Sequence, residues 1–162
     1  MKYHLSHLVA SSLGERTVVQ VQEGARALDE ELSINSLEGK VQFTRVNGGI
    51  YAQGDLHTQI TLTCVRCLEP FSFALDFEIA ERFVFTLQKA EADAPYLVAP
   101  DGVVDLAEPV RQQIWVSLPI RPLCHAGCKG LCGQCGANLN QEQCDCHEEM
   151  VDPRLARLKD LL

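Results

Sequence analysis

The chain has 162 residues, of which 46% are hydrophobic, and it carries a formal net charge of −8 at pH 7. This length and apolar content predict one main domain with a real core and a small appended module. The acidic balance argues against general binding to polyanions, because phosphate contacts need clustered Lys and Arg. No apolar run approaches the roughly 18 residues of a membrane span, and the N-terminus lacks the regions of a signal peptide. A cytoplasmic protein is therefore expected.

The first 40 residues carry weaker signals than the rest of the chain. Residues 2–10 are rich in apolar side chains and predict a first strand. The β-branched cluster between Arg16 and Gln22 predicts a second. Residues 25–32 have a helical composition but little length, which indicates a turn or a short helix.

A clear β pattern begins at Lys40. The sequence Asn47-Gly48-Gly49 predicts a tight hairpin, because these residues accept a positive φ. Residues 50–63 and 71–79 alternate apolar with polar side chains, as half-buried strands do. They flank Cys64-Val-Arg-Cys67, so we expect this pair of cysteines at the tip of a long antiparallel hairpin.

The second half of the chain begins with a predicted break in regular structure. Residues 88–102 mix alanine, acidic residues and prolines, which is typical of a mobile connection. They separate an antiparallel β domain over 1–87 from a region over 103–162 that holds a helix, a cysteine-rich metal module and a C-terminal helix. The predicted fold class is α+β, an antiparallel hairpin or meander sheet with one packed helix and a zinc-binding module.

The predicted helix follows the connection and ends near Ser117. Asp105 and Glu108 stand at the spacing of a capping box. Apolar residues recur every four positions and form a stripe that would pack on the sheet; they are Leu106, Val110, Ile114 and Leu118. Trp115 lies beside the stripe and is expected in the core or at its rim. A further short helix is predicted from Asp152.

Cysteine is the residue type that points to chemistry. Cys132-Gly-Gln-Cys135-Gly136 has the form of a turn in which two thiolates face one ion and backbone N–H groups hydrogen-bond the sulfurs. Four thiolates in a tetrahedron make a structural zinc site. The candidate metal ligands are all eight cysteines, Cys64, Cys67, Cys124, Cys128, Cys132, Cys135, Cys144 and Cys146.

Spacing alone leaves the number of ions and the grouping of the cysteines open. One arrangement has two sites, the first joining the Cys64–Cys67 pair to Cys124 and Cys128 and the second formed by the last four cysteines. The rival is a single site that joins Cys64 and Cys67 to Cys132 and Cys135. Zinc is the expected cofactor, as one ion or two, ahead of an iron–sulfur cluster or a thiol redox switch.

Catalysis is not expected from these motifs. A catalytic zinc keeps an open position with His or carboxylate in its shell, whereas four cysteines describe a closed site. His125 and His147 adjoin cysteines and are expected to be surface residues. The basic residues near the module are Arg111, Arg121 and Lys129, a group that would bind polyanions weakly and in a salt-sensitive way. Arg66, between Cys64 and Cys67, could neutralise thiolate charge, contact a phosphate or simply be a solvated loop residue.

The order of these motifs resembles the YceD family, whose members are described as large ribosomal RNA subunit accumulation proteins. The resemblance extends from about Val41 to the C-terminus, and only Gly133 departs from it, at a position where proline is expected. It rests on Cys64-Val-Arg-Cys67-Leu-Glu-Pro-Phe71, Cys128-Lys-Gly-Leu-Cys132-Gly-Gln-Cys135-Gly-Ala-Asn-Leu-Asn140, Cys144-Asp-Cys146 and Asp152-Pro-Arg-Leu-Ala156.

The resemblance implies a cytoplasmic factor of bacteria or plastids that is needed for accumulation of large-subunit ribosomal RNA and acts in ribosome biogenesis. It does not imply a catalytic activity, and the leading hypothesis is a non-catalytic factor. Its expected partner is pre-ribosomal RNA or a basic ribosomal protein, with no membrane and no small-molecule substrate. The motif cysteines are carried over as metal ligands only. The alternative function is a redox- or zinc-responsive regulatory protein that uses its cysteine module as a switch.

Overall fold

The computed structural model describes residues 1–30, 32–85 and 96–146. Within them it has eight strands and two helices. These are β1 (Lys2–His4), α1 (Ser6–Val9), β2 (Arg16–Glu23), β3 (Arg26–Ala27), β4 (Ser33–Val46), β5 (Gly49–Thr63), β6 (Pro70–Phe85), β7 (Tyr96–Val98), β8 (Val103–Asp105) and α2 (Ala107–Ser117). Among the described residues, no helix is long and apolar enough to cross a membrane.

Three long antiparallel strands form the middle of a six-stranded sheet with the order β2-β4-β5-β6-β7. β4 and β5 meet at the predicted hairpin, where Val46 pairs with Gly49 and Gly48 takes a φ of +76°. β2 and β3 both pair with β4, and β7 pairs in parallel with β6. A separate two-stranded sheet joins β1 to β8.

The predicted alternation decides which face of the sheet is buried. In β5, Leu56, Thr58 and Ile60 are buried while the residues between them face outwards. In β4, an irregularity between Ile34 and Ser36 changes the register. One extra residue in a strand reverses which side chains face inwards. The irregularity therefore lets both Ile34 and Leu37 point into the core.

The first 30 residues agree with the prediction in part. The strand predicted between Arg16 and Gln22 is confirmed as β2, whereas the segments on either side of it differ. Residues 2–10 form the short strand β1 and then helix α1, in which Leu8 is fully buried. Residues 26–27, predicted as part of a turn or short helix, pair with β4 as β3. The cause is a tertiary contact. A helix of this length is unstable on its own, whereas pairing with the edge of β4 gives the backbone groups hydrogen-bond partners.

The stretch predicted as a mobile connection contains β7, which extends the sheet beside Phe83–Phe85. A turn then leads to β8, with Gly102 at a φ of +79°. An added Cβ on Gly102 would lie 2.7 Å from the Ser6 Cα. Residues 88–95 lie outside the described part of the chain, and the division into domains stays a prediction.

Helix α2 spans the predicted range and packs its apolar stripe towards β6. Its N-terminus is capped differently from a capping box. The Asp105 carboxylate accepts a hydrogen bond from the Ala107 N–H at 2.9 Å, but the Glu108 carboxylate binds Arg111 and Gln112. The predicted helix from Asp152 lies outside the described residues.

Trp115 was expected in the core or at its rim, but it is one of the exposed large apolar side chains. Its indole N–H donates to the Asp29 carboxylate at 3.1 Å. A mostly antiparallel sheet with one main helix and a C-terminal cysteine cluster confirms the α+β class.

Candidate metal centre

The tip of the β5–β6 hairpin presents the first two cysteines. The Cys64 N–H donates to the Glu69 carbonyl at 3.0 Å, and the Leu68 N–H donates to the Cys64 carbonyl at 2.9 Å. Leu68 takes a φ of +58°, an unusual value for a residue with a side chain. This closed turn holds Cys64 and Cys67 in buried positions.

The segment after α2 returns to this tip and attaches through its backbone. The Val65 N–H donates to the Pro122 carbonyl at 3.0 Å, and the Leu131 N–H donates to the Arg66 carbonyl at 3.1 Å. The Arg66 guanidinium donates to the Cys128 carbonyl at 2.8 Å. These bonds align two parts of the chain that are distant in sequence.

We name the first cysteine group site 1; it consists of Cys64, Cys67, Cys124 and Cys128, whose sulfurs all lie within 4.8 Å of one another. The sulfurs of Cys64 and Cys128 are 3.8 Å apart, and those of Cys67 and Cys124 are 3.7 Å apart. Three of these cysteines are buried. Site 1 therefore consists of two cysteines from the hairpin tip and two from the segment after α2, and it lies buried between them.

We name the second group site 2; it consists of Cys132, Cys135, Cys144 and Cys146, with the same limit of 4.8 Å between sulfurs. The Gly136 N–H donates to the Cys132 carbonyl at 3.0 Å, and Gly136 has a φ of +75°, as the Cys-x-x-Cys-Gly turn requires. The Gln134 N–H points to the Cys132 sulfur at 3.5 Å. Cys135 and Cys146 are exposed.

These distances fit a tetrahedral thiolate site. With a Zn–S bond of about 2.3 Å, the edge between two sulfurs is about 3.8 Å. A disulfide would bring two sulfurs to about 2.05 Å, and all eight cysteines are free. The sulfurs are grouped as in the two-site arrangement, and Cys64 and Cys67 do not share a group with Cys132 and Cys135.

One thiol in each site ionises easily. Burial acts to raise the pKa of Cys64, but backbone hydrogen bonds from Cys67 and Cys124 help lower it to about 6. Backbone hydrogen bonds from Cys135 and Gln134 lead the causes that bring the pKa of Cys132 to about 6. Both sites therefore offer a thiolate at neutral pH.

Another thiol in each site holds its proton. Burial, then hydrogen bonds with neighbouring thiols, raises the pKa of Cys124 to about 12. A hydrogen bond with Cys135 and burial raise the pKa of Cys146 to about 12. Several negative sulfurs at this distance repel one another, and a divalent cation between them would offset that repulsion. The donor set thus fits a cation such as Zn²⁺.

The predicted basic group is only partly assembled. Arg121 and Lys129 are exposed, and they adjoin Pro122 and Cys128, whose carbonyls bind the hairpin tip that carries Arg66. Arg111 of α2 instead forms ion pairs with Glu108 of the same helix and with Asp29. His125 is exposed, and His147 lies outside the described residues. In the described part of the chain, the groups able to hold a metal consist of cysteine alone.

Asn140 is a site residue that the sequence analysis missed. Its amide N–H points to the Cys128 sulfur at 3.4 Å, and its amide oxygen accepts a hydrogen bond from the Lys129 N–H at 2.8 Å. The sequence feature that could have indicated this role is the pair of asparagines, Asn138 and Asn140, in the loop between Cys135 and Cys144. Such side chains hydrogen-bond nearby backbone groups.

Comparison with known proteins finds a family and several relatives. A family model described as large ribosomal RNA subunit accumulation protein YceD matches residues 52–162. An uncharacterized protein of Mycobacterium tuberculosis is 30% identical over 149 residues, which cover 90% of this chain and 66% of the relative. The described fold has no match among solved structures at a significant level.

Two plant relatives carry a functional name. The chloroplastic large ribosomal RNA subunit accumulation protein YCED homolog 1 of Arabidopsis thaliana is 27% identical over 181 residues, covering 94% of this chain and 54% of the relative. The Zea mays protein of the same name is 29% identical over 142 residues, covering 68% of this chain and 48% of the relative. The chain thus spans about two thirds of the mycobacterial relative and about half of each plant relative.

Proposed function

The chain belongs to the YceD family, and from that premise we propose that it is a non-catalytic zinc-binding factor that supports the accumulation of large-subunit ribosomal RNA. The observation that carries the proposal is the family match over residues 52–162, which includes both cysteine groups. The names of the plant relatives support it. The proposed location is the cytoplasm.

The proposed ligands of the two ions are the cysteines of site 1 and site 2. Bound Zn²⁺ would supply a fixed tetrahedral arrangement and positive charge, without an open position for catalysis. The alignment of the two segments comes from the chain's own backbone. The hairpin tip and the returning segment align through backbone hydrogen bonds such as that between Val65 and Pro122, and site 1 holds them together.

Charge indicates where a partner would bind. Arg66 lies on the hairpin tip, and the exposed Arg121 and Lys129 adjoin the residues that bind it, so this basic group offers phosphate contacts in an otherwise acidic chain. We propose that it contacts pre-ribosomal RNA. The opposite charge occurs on the sheet, where Glu38, Asp55, Asp76 and Glu78 line one open hollow. A basic ribosomal protein would suit that hollow, and it is the alternative partner.

The test measures the ratio of large- to small-subunit ribosomal RNA in cells that lack the gene. We expect a lowered ratio that the wild-type protein restores. Arg121→Glu with Lys129→Glu should fail to restore it, because charge reversal repels phosphate while leaving the Arg66 bond to Cys128 in place. The matched control reverses two exposed arginines on the sheet, Arg16→Glu with Arg26→Glu, and should restore the ratio.

Two other outcomes would count against parts of the proposal. An unchanged ratio in cells without the gene would contradict the role in ribosomal RNA accumulation. Full restoration by the Arg121 and Lys129 variant would contradict the proposed RNA surface. In that case the acidic hollow and a basic ribosomal protein become the preferred interface and partner.

The exposure of site 2 favours a second candidate function, a redox- or zinc-responsive switch. Cys135 and Cys146 are exposed, whereas Cys64 and Cys128 are buried. Peroxide could take two electrons from a pair of site 2 thiolates to form one disulfide, and with two protons it would leave as two waters. The test is whether site 2 oxidises before site 1 and whether the sheet stays folded when it does.

A further inference from the structure

The loop of site 2 touches a ligand of site 1 through one side chain. Asn140 lies between Cys135 and Cys144, yet its amide nitrogen is 3.4 Å from the sulfur of Cys128. The same amide binds the Lys129 backbone N–H at 2.8 Å. A single side chain therefore contacts a ligand of one group and belongs to the loop of the other.

The hydrogen bonds around Asn140 determine which way its side-chain amide is oriented. The Lys129 N–H can only donate, so it must face the amide oxygen. The amide nitrogen then faces the Cys128 sulfur and the Asn138 amide oxygen, which lies 2.9 Å away. The Asn138 oxygen also accepts the Asn140 backbone N–H at 3.1 Å. The side chain is thus held as a donor towards the sulfur.

We propose that Asn140 is a positioning residue that couples the two cysteine groups, so that metal held at one site favours metal at the other. The inference rests on the proposed zinc binding. It does not depend on the role in ribosomal RNA accumulation.

The physical basis is a hydrogen bond that depends on the state of the sulfur. A donor N–H binds a metal-held thiolate more strongly than a neutral thiol, because charge-assisted hydrogen bonds are the stronger kind. Metal at site 1 therefore favours the loop conformation that places Asn140. That loop also spaces Cys135 from Cys144, and the Leu139 N–H anchors it to the Gly130 carbonyl at 2.9 Å. Coupling between two binding sites is reciprocal.

The experiment follows each site separately in the purified, zinc-loaded full chain. Chelator is added in steps, free thiols are alkylated, and peptide mass spectrometry reports labelling cysteine by cysteine. The readout for site 1 is the chelator concentration at which Cys64 and Cys67 are half labelled. We expect Asn140→Ala to lower it about tenfold, the usual scale for loss of a ligand's hydrogen-bond partner.

A double-mutant cycle tests the coupling. Cys144→Ser with Cys146→Ser destroys site 2 and should lower the site 1 midpoint to a similar extent. Adding Asn140→Ala to that variant should then change little, because the connection is already lost. Independent, additive losses would overturn the proposal.

Conservative variants separate coupling from simple support of the loop. Asn140→Asp keeps an oxygen for the Lys129 N–H but replaces the donor with an oxygen beside the Cys128 sulfur, so it should behave like Asn140→Ala. A wild-type midpoint for Asn140→Asp would overturn the proposal. Gln141→Ala is the matched control, since it removes an exposed amide from the same loop, and it should leave the midpoint unchanged.

Failure of the coupling and failure of zinc binding give different results. A chain that retains no zinc after purification, with all eight cysteines labelled at once, would contradict the metal proposal and this inference with it. A chain that retains zinc at both sites, with Asn140 variants matching the wild type, would contradict the coupling alone.

Discussion

At the scale of single residues, Thr58 is the buried polar side chain of the described core. Its hydroxyl donates to the Ser36 carbonyl at 2.6 Å. Ser36 follows the register irregularity of β4, where ladder bonds are disturbed. A side-chain donor at this point satisfies backbone that the irregularity leaves poorly paired.

Replacing this hydroxyl should therefore destabilise the sheet. We expect Thr58→Val to lower the free energy of unfolding by about 1 to 2 kcal/mol, because a buried carbonyl loses its donor. Denaturant unfolding followed by circular dichroism measures the change. The control is Thr61→Val, since Thr61 is exposed on the same strand and its hydroxyl meets Asn35 at the surface. Equal effects of the two substitutions would contradict this account of Thr58.

At the scale of elements, the central strand β5 contains a glycine that has no room for a side chain. Gly54 of β5 pairs with Val41 of β4 and with Ile79 of β6. A Cβ added to Gly54 would lie 2.0 Å from the Lys40 carbonyl oxygen and 2.8 Å from the Val41 Cα. These contacts are with backbone atoms, which cannot rotate away as a flexible side chain can. Strands β4 and β5 would therefore have to separate.

This close approach predicts a large cost for one methyl group. We expect Gly54→Ala to destabilise the protein by about 1 to 3 kcal/mol, the usual range for overpacking in a core, and thermal unfolding measures it. Gly24→Ala is the matched control, because no atom lies within 4 Å of its added Cβ. A Gly54→Ala protein as stable as the Gly24→Ala protein would show that the strands separate easily.

At the scale of the whole molecule, the two cysteine groups differ in burial. Site 1 is largely enclosed beneath the hairpin tip, while two cysteines of site 2 face solvent. Reactivity of a thiol follows its ionisation and its exposure. Oxidation should therefore begin at site 2. We propose that the sheet domain within residues 1–87 stays folded when this happens.

The prediction is a local response to peroxide. With one equivalent of peroxide, the cysteines of site 2 should oxidise first, and trypsin should then cut faster after Lys129, because its loop loses support. Cleavage within residues 32–85 should remain slow. Peptide mass spectrometry before and after brief trypsin treatment measures both effects, and Cys135→Ser should mimic them without oxidant. Simultaneous oxidation of both sites, or equal cleavage of the sheet, would contradict the switch and the division into domains.

Local sequence patterns predicted the long central strands and the main helix, but not the short strands. Alternation with period two and the glycine turn at Gly48 identify β4 to β6, because each depends on neighbouring residues. The short strands β3, β7 and β8 were not predicted, and β1 covers only the start of the strand predicted over residues 2–10. Two or three residues carry no usable period, and β1 pairs with β8 from a distant part of the chain.

The sequence by itself determined that eight cysteines suit metal and that Cys64 and Cys67 stand on a hairpin tip, since ligand type and strand period are local properties. Only the tertiary structure decided their grouping. The sulfurs of Cys67 and Cys124 meet across 57 positions of sequence, and Asn140 reaches Cys128 through a folded loop. Such contacts depend on how separate segments pack, which spacing along the chain does not specify.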